Sequence, residues 1–359
     1  MPVLIIAFTV IWSVVLPQRC AQATSAEEVV RKAASLSGAM RTAFLEEGAK
    51  KEGELVFYTS LSLTDYPKIL PHFERKYPFV KINTYRSTPS GVFTRADTEA
   101  RAGRHAVDVV GSAPVEMWEL KQRRLSAPYV SPEHKALPPG SRDPEGYWQA
   151  FEITPLVTAF NTKQVSAADA PRTYYDLLDP KWKGRLSLGT EEYTWFNTLL
   201  ETLGPKKGIE YMQALARQEL QMPGSSSVMR VQLMLAGESA VAIAARGRRV
   251  TDYKKQGAPI DFRIMEPYAG EPNFVALMRR SPHPHAALLF IDWILSEEGQ
   301  TRMVEAAGRI AIRKGIKHQP WVQELLQKDF VFLSPVSIGP SLKSVIEQYN
   351  KIFGVHRAK

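Results

Sequence analysis

Cysteine is almost absent from this sequence. The 359 residues include one, Cys20, which lies close to the N-terminus. A chain cleaved beyond that position would have no cysteine left, which excludes disulfide bonds, thiolate metal ligands and cysteine nucleophiles together. A ligand would then have to be held by oxygen and nitrogen groups.

Motifs typical of catalytic sites are also missing. The sequence contains no His-Glu-x-x-His, no Gly-x-Ser-x-Gly and no Gly-x-x-x-x-Gly-Lys-Ser/Thr pattern. The seven histidines are scattered. The spacing of His283 and His285 does not place both on one helix face, so we expect surface residues. We predict a protein that is not an enzyme and has no cofactor or metal; an exported enzyme on an α/β scaffold is the alternative.

Long apolar runs are confined to the N-terminus. Residues 2–16 are apolar but short for a membrane span. Residues 21–23, Ala-Gln-Ala, provide a small-x-small site that suits signal peptidase. We interpret residues 1–23 as a secretory signal peptide and expect the mature protein in the periplasm. Arg19 is a poor neighbour for a lipid-anchor cysteine, so we expect no anchor at Cys20.

The charge is positive but dispersed. The chain has 46 Lys and Arg against 37 Asp and Glu, a net charge of +9. Basic residues form only short clusters, such as Arg-Gly-Arg-Arg at 246–249, and no basic helix or aromatic-rich strand of the kind that binds RNA. We therefore expect no nucleic-acid partner, and at most a weak preference for an anionic ligand.

Strand and helix patterns alternate along the first third of the chain. Apolar alternation predicts strands at residues 54–58 and 78–83 and a short buried strand at 108–110. Helical spacing predicts helices over residues 66–73 and 93–102. Such alternation is typical of a parallel sheet covered by helices, and the length favours two domains.

Residues 281–300 are the most informative segment. Pro282 and Pro284 interrupt the chain, and a long apolar helix follows, rich in Leu, Ile, Phe and Trp. Ser296 then suits the N-cap of a second helix whose first turn is acidic. The segment is similar to "Pro-x-x-Ala-x-x-Phe-Ile-Asp-Trp-Leu-Leu-Ser-x-Glu-Gly-Gln" of the bacterial extracellular solute-binding proteins of ABC importers.

Four further segments resemble the same family, in the same order. They are Glu-Gly-Glu-Leu-Val-Phe-Tyr-Thr-Ser at 52–60, Phe-Glu-Arg-Lys-Tyr-Pro at 73–78, Glu-Ala-Arg-Ala-Gly with Asp-Val-Val at 99–110, and Asp-Leu-Leu-Asp-Pro-Lys-Trp-Lys-Gly at 176–184. The resemblance is strongest to the branch that includes the ferric-ion-binding proteins.

The resemblance implies an α/β fold of two lobes, the type II periplasmic binding clamshell, with mixed, mostly parallel sheets and flanking helices. Two extended crossings, which we place at residues 150–161 and 264–277, would join the lobes. The implied divisions are a signal peptide at 1–23, an N-terminal helical arm at 24–52, lobe 1 at 53–153 and 274–359, and lobe 2 at 154–273.

Polar loops at the carboxyl ends of strands are the candidate binding residues, because these loops would face the cleft between the lobes. Their hydroxyl and backbone N–H groups suit an oxyanion, although Ser and Thr also cap helices without binding anything. The candidate ligand-binding residues are Ser60, Ser62, Arg86, Ser87, Ser90, Thr190, Tyr193, Ser225, Ser226, Ser227 and Arg246.

The solute is inferred from a departure from the ferric branch, whose members carry adjacent tyrosines shortly after a Gly-Glu segment. Here Gly237-Glu238 leads to residues 244–248, which contain Arg246 and no tyrosine. A guanidinium can hold a carboxylate or phosphonate through two hydrogen bonds, so we expect a small organic anion. A ferric ion or ferric complex is the second possibility. A polyamine or thiamine-like cation is the third, because Glu191 and Glu192 lie in one loop. The resemblance implies ABC permease subunits as partners, and we expect a monomer.

Overall fold

The computed structural model describes residues 25–326 and 334–355. The predicted signal peptide and Cys20 lie outside the described residues. Within these two ranges, no helix combines the length and the apolar character that crossing a membrane would need.

Helices and strands alternate along the chain, as expected for an α/β protein. The strands are β1 (Glu54–Thr59), β2 (Lys81–Arg86), β3 (Val109–Ser112), β4 (Ser126–Ala127), β5 (Gln149–Asn161), β6 (Leu186–Ser187), β7 (Val241–Arg246), β8 (Ile260–Arg263) and β9 (Gly270–Met278). The α-helices are α1 (Ala26–Ala34), α2 (Gly38–Glu52), α3 (Tyr66–Lys76), α4 (Pro89–Arg101), α5 (Pro114–Gln122), α6 (Tyr193–Leu203), α7 (Pro205–Ala216), α8 (Ser227–Ala236), α9 (Gly247–Lys255), α10 (Pro284–Leu295), α11 (Glu297–Ala307), α12 (Pro320–Leu326) and α13 (Pro335–Phe353).

The strands form a mixed sheet in the order β2-β1-β3-β9-β5-β7-β6, with β4 paired to β9 and β8 paired to β5. Parallel pairs lie towards the two ends of this order, β1 with β2 and β3, and β6 with β7. Pairs that involve β5 or β9 are antiparallel. The share of parallel pairs is therefore lower than the sequence predicted, because the two crossing strands run in opposite directions through the middle.

The long strand β5 passes from one hydrophobic core to another. Its first half pairs with β9 and buries Phe151 and Ile153 in a core that also contains α3, α10 and α11. Its second half pairs with β7 and β8 and buries Leu156 and Phe160 in a second core with α6 and α7. The observed crossing strands overlap the two predicted crossings. The predicted lobe boundaries themselves stay a prediction.

Residues 281–300 form the predicted pair of helices. All but two residues of α10 are buried, which explains why its sequence is apolar on nearly every side. Ser296 caps α11 by accepting a hydrogen bond from the Gly299 backbone N–H at 3.1 Å. Position 299 must be glycine, because a Cβ there would lie 1.9 Å from the Trp293 carbonyl oxygen.

His283 and His285 are not the surface residues that we expected. Their side chains are 17% and 14% exposed, and each is paired with a carboxylate. His283 Nδ1 lies 2.9 Å from Asp108 Oδ2, and His285 Nδ1 lies 2.6 Å from Glu52 Oε1. The same carboxylates accept the backbone N–H groups of His283 and His285. The first N–H groups of a helix lack acceptors within the helix. In α10 these acceptors are carboxylates from distant parts of the chain, whose negative charge also suits the N-terminus of a helix.

The helix α13 connects the two cores near the end of the chain. Near its start, Gly339 lies against the Trp118 ring of α5, at a distance that leaves no room for a Cβ. Near its end, Val345 and Tyr349 are buried in the second core. The Tyr349 hydroxyl donates to the Gly189 carbonyl. The last described helix therefore contacts both parts of the molecule. We call the part built around the first core, with β1 to β3, the first half, and the part built around the second core, with β6 and β7, the second half.

Candidate functional site

The predicted polar loops of the first half meet at one edge of the sheet. Because β1 and β2 are parallel and Thr59 lies opposite Arg86, Ser60 and Ser87 emerge side by side. The Ser87 backbone N–H donates to the Thr59 carbonyl at 3.2 Å. Arg86 Nε donates to the Leu61 carbonyl at 3.1 Å. The structure therefore brings the first two predicted loops together.

Two other predicted residues of this half are engaged within their own loops. Ser62 Oγ lies 2.8 Å from Thr64 Oγ1. Ser90 is exposed in the first turn of α4, with its Oγ 3.3 Å from Thr88 Oγ1. Thr88 caps that helix by accepting the Gly91 backbone N–H at 3.2 Å. These hydroxyls support their local turns, as helix-capping residues do.

The predicted loops of the second half also meet. The Thr190 backbone N–H donates to the Gly224 carbonyl at 3.2 Å. Ser227 Oγ accepts the Arg246 backbone N–H at 3.1 Å. Three segments that are distant in sequence are thereby joined beside the end of β7.

Of three further predicted residues of this half, two are exposed and one is packed against a helix. Ser225 and Ser226 are exposed, and Ser226 caps α8 by accepting the Met229 backbone N–H at 3.3 Å. Tyr193 begins α6, and its ring contacts the Tyr349 ring of α13 edge to face at 5.3 Å. The Tyr193 ring is therefore packed against the C-terminal helix.

Arg246 belongs to a group of four charged side chains, which we call the Arg246 cluster: Glu192, Arg230, Arg246 and Glu271. Arg246 Nη1 donates to both Glu192 oxygens at 2.9 and 2.7 Å, and Nη2 donates to Glu271 at 2.7 Å. Arg230 is fully buried, pairs with Glu192, and donates to the Ile243 carbonyl at 2.6 Å. The cluster has two guanidinium groups and two carboxyl groups, so its formal charges balance.

A second group of four, the Asp65 cluster, consists of Asp65, Glu152, Arg248 and Arg309. Arg248 donates to the two Asp65 oxygens at 2.6 and 2.9 Å, and Arg309 Nη1 donates to the same carboxylate at 3.0 Å. Arg309 also pairs with the fully buried Glu152. The Asn273 amide donates to Glu152 at 2.6 Å. This cluster is balanced in charge as well.

The Asp65 cluster spans the two halves of the molecule. Asp65 precedes α3 in the first half, whereas Arg248 lies in α9, which follows β7 of the second half. The cluster also reaches a predicted loop, because the Ser60 hydroxyl donates to Asn273 Oδ1 at 3.5 Å. An ion pair between Asp65 and Arg248 therefore tethers one half to the other.

The pKa values follow from burial and from these partners. Burial acts to raise the pKa of Asp65, but hydrogen bonds and charge from Arg248 and other neighbours outweigh it and hold the pKa below its usual value. Burial acts to lower the pKa of Arg246, and Glu192 and Glu271 raise it above its usual value. Burial raises the pKa of Glu271 despite its contact with Arg246. The arginines stay charged, so both clusters are ionic at neutral pH.

A cavity of about 360 Å³ lies beside the Asp65 cluster, between α3 and α11 of the first half and α9 of the second. Its basic lining residues outnumber its acidic ones, and Trp321 and His318 complete one side. The basic residues are Lys68, Arg248, Arg249, Lys255 and Arg309, and the acidic residues are Asp65 and Asp252.

Sequence reasoning missed most of these charged side chains. The predicted binding residues do not include Asp65, Glu152, Glu271 or Arg309. One signal was available, because Glu152 and Glu271 interrupt segments that are otherwise apolar. A buried carboxylate needs a cation. Within the described residues, no group of three or more His, Cys, Asp or Glu side chains is placed to hold a metal ion.

Comparison with known proteins agrees with this architecture. The sequence profile of the family described as bacterial extracellular solute-binding protein matches residues 113–320, more than half of the chain. The chain belongs to this family. The resemblance found in the sequence is confirmed, and members of the family bind solutes rather than catalyse reactions on them.

Curated relatives of this solute-binding protein include three with names that refer to iron. It is 24% identical over 281 residues to the Fe(3+)-binding periplasmic protein of Serratia marcescens, covering 74% of this chain and 81% of that protein. It is 22% identical over 222 residues to Iron uptake protein A2 of Synechocystis. That match covers 57% of this chain and 64% of the relative's length, so the chain spans less than two thirds of that relative.

Among solved structures, this solute-binding protein is similar to the periplasmic binding protein AfuA of Actinobacillus pleuropneumoniae, determined with exogenous fructose-6-phosphate bound. The TM-score is 0.71 at 23% identity, and the match covers 85% of this chain and 99% of that one. At this identity the likeness establishes the fold alone, the predicted type II periplasmic binding fold.

Proposed function

We propose that this protein captures a small organic anion, such as a carboxylate, a phosphonate or a sugar phosphate, between its two halves and delivers it to the permease subunits of an ABC importer. It would act as a monomer in the periplasm after removal of residues 1–23. The observation that carries the proposal is the basic excess around the cavity beside the Asp65 cluster.

The proposal gives Arg248 and Arg309 the main part in binding. Both line the cavity, come from different halves, and share one carboxylate, Asp65. An anionic group that entered the cavity would share or replace Asp65 as their partner. Such a ligand would contact both halves, and it would favour the closed arrangement by the difference in its affinity for the two states.

The predicted hydroxyl loops around Ser60 and Ser227 would form the polar rim of the same site. Arg246 remains a candidate, although its guanidinium already donates to Glu192 and Glu271. If Arg246→Ala leaves the affinity for the anion unchanged, Arg246 belongs to the scaffold and not to the binding site.

A ferric ion chelated by organic carboxylates is a second candidate. Three relatives have names that refer to iron, and a chelate with excess carboxylate is itself an anion that suits the same basic cavity. A bare ferric ion fits less well, because Arg246 stands where ferric members of the family carry tyrosines.

Thermal unfolding with a panel of carboxylates, phosphonates, sugar phosphates, ferric citrate and polyamines tests the proposal. A ligand at about 100 times its Kd should stabilise the protein by roughly 2.7 kcal/mol. We expect the anions to stabilise the wild type, Arg248→Gln to lose the effect, and Arg217→Gln, which removes an exposed charge elsewhere, to keep it. Stabilisation by polyamines alone would contradict the choice of an anion. Consumption of the compound would contradict a binding protein without catalysis.

A further inference from the structure

A second basic cavity, of about 400 Å³, lies in the first half of the molecule, away from the Asp65 cluster. It is formed where α4, α5 and β9 end and just before β3 begins. Because the predicted binding loops follow the carboxyl ends of β1 and β2, this cavity lies at the opposite edge of the sheet. We call it the arginine groove after its six arginines: Arg101, Arg104, Arg123, Arg124, Arg279 and Arg280.

Ordinary structural roles account for three of these arginines. Arg101 lies in the last turn of α4 and Arg123 caps the end of α5, where a positive charge suits the helix dipole. Both pair with Asp97, the one carboxylate that lines the groove. Arg279 pairs with Glu27 at 2.6 Å. These three would be expected without any ligand.

The other three arginines have no carboxylate partner among the described residues. Arg104 and Arg124 form no ion pair within 4.0 Å there, and both are exposed at the mouth of the groove. Arg280 Nη1 lies 3.1 Å from His105 Nε2. Burial and the nearby Arg280 hold the pKa of His105 below its usual value. An imidazole is neutral or positive, so His105 supplies no negative charge to Arg280. Three guanidinium groups therefore face one space without a counterion.

Backbone geometry fixes one of the three. Arg124 has a φ of 56°, in the left-handed region that non-glycine residues rarely adopt. Its carbonyl accepts a hydrogen bond from Arg279 Nε at 3.0 Å, which joins the end of α5 to the end of β9. The left-handed conformation is the usual cap of a helix end, because the Leu125 backbone N–H donates to the Leu120 carbonyl at 2.8 Å.

The floor of the groove is apolar, whereas its mouth is basic. The lining includes Ala96, Ala100, Val107, Leu125 and Met278. A site of this kind suits a ligand with anionic oxygens at one end and a carbon skeleton at the other. One arginine guanidinium can also bind two phosphate oxygens at once, through two parallel hydrogen bonds.

We propose that the arginine groove is a second binding site, specific for a ligand whose phosphate groups carry two or more negative charges. It is independent of the proposed site in the cavity beside the Asp65 cluster. Arg104, Arg124 and Arg280 would donate to the phosphate oxygens. The phosphates could belong to a free phosphate compound or to the headgroup of a lipid, and the two sources share the same chemistry at the site.

The test uses pyrophosphate for the free source and vesicles of phosphatidylcholine with cardiolipin for the lipid source. Pyrophosphate binding is measured by titration calorimetry, and vesicle binding by co-sedimentation against pure phosphatidylcholine. We expect at least one probe to bind the wild type, and its affinity to fall by roughly tenfold or more in Arg104→Gln/Arg124→Gln, because charged hydrogen bonds are lost. The matched control, Arg172→Gln/Arg217→Gln, removes two exposed charges elsewhere and should keep the affinity within about twofold.

Three results would overturn the proposal. The first is that neither probe binds the wild type. The second is that the control loses as much affinity as the groove variant, which would mean attraction to net charge alone. The third is that binding disappears in Arg248→Gln and persists in the groove variant, which would assign the phosphate to the cavity beside the Asp65 cluster. The last result separates a failure of this proposal from a failure of the proposed function.

Discussion

The two basic regions of this protein treat arginine in opposite ways. In the Arg246 and Asp65 clusters, every arginine is paired with a carboxylate and its side chain is mostly or wholly buried. In the arginine groove, three arginines lack a carboxylate partner among the described residues, and all three are exposed. An unpaired charge is very costly inside a protein and nearly free at its surface. Both clusters therefore keep their arginines paired, and the Asp65 cluster joins the two halves, whereas the groove keeps positive charge available.

The strongest test of this contrast removes the carboxylate that two buried arginines share. Glu192→Gln would leave Arg230, which is 0% exposed, without its ion pair. We expect a loss of about 3–5 kcal/mol in the free energy of unfolding, measured by urea denaturation. The control, Arg302→Gln, breaks an exposed pair with Glu305 and should cost less than about 1 kcal/mol. Equal effects in the two variants would show that burial does not decide the outcome.

Removing the charge of a buried carboxylate that has no cation partner should stabilise the protein, which is the reverse of the preceding effect. Glu116 is buried in α5, its Oε2 has no hydrogen-bond partner among the described residues, and burial raises its pKa from 4.5 to about 7. As the pH rises from 4.5 to about 7, the unfolded chain loses this proton first, so the wild type loses stability across that interval. Glu116→Gln removes the penalty and should stabilise the protein by roughly 3 kcal/mol above neutral pH.

Urea denaturation of the wild type and of Glu116→Gln, at pH 4.5 and above pH 7, checks the direction of this pH dependence. The two proteins should be nearly equally stable at the lower pH and differ at the higher one. The exposed Glu191→Gln serves as a control with no pH-dependent difference expected. A variant that is less stable than the wild type above pH 7 would mean that the Glu116 charge has a partner.

The smallest effect is expected in the arginine groove. Arg104→Gln/Arg124→Gln removes two exposed charges that support no carboxylate, so the free energy of unfolding should change by no more than about 0.5 kcal/mol. The same urea experiment measures it. A loss well above that value would place these arginines among the residues that hold the fold, and the contrast between the two regions would fail.

The parts of the fold that were predictable rest on local patterns. The apolar spacing at residues 281–300 predicts α10, and Ser296 predicts the start of α11. The β-branched segment around residues 150–161 predicts β5. The predicted loops around Ser60 and Ser227 each meet the other loop of their half, because the ends of paired strands are neighbours in space.

The charged clusters were not predictable, because their members are far apart in sequence. Asp65 and Arg248 are 183 positions apart, and Glu152 and Arg309 are 157 apart. No local spacing shows such pairs. The same limit explains the error at His283, since the carboxylate that pairs with it, Asp108, is 175 positions away.

The position of α13 affects how the chain can fold while it is being synthesised. The second core is closed by Val345 and Tyr349, and the first core requires β9 and α10 as well as β1. Neither half can be completed when its first strands leave the ribosome, and the second must wait for residues 345–349. A ribosome that stops short of residue 345 would therefore release a protein whose second core lacks the side chains of Val345 and Tyr349.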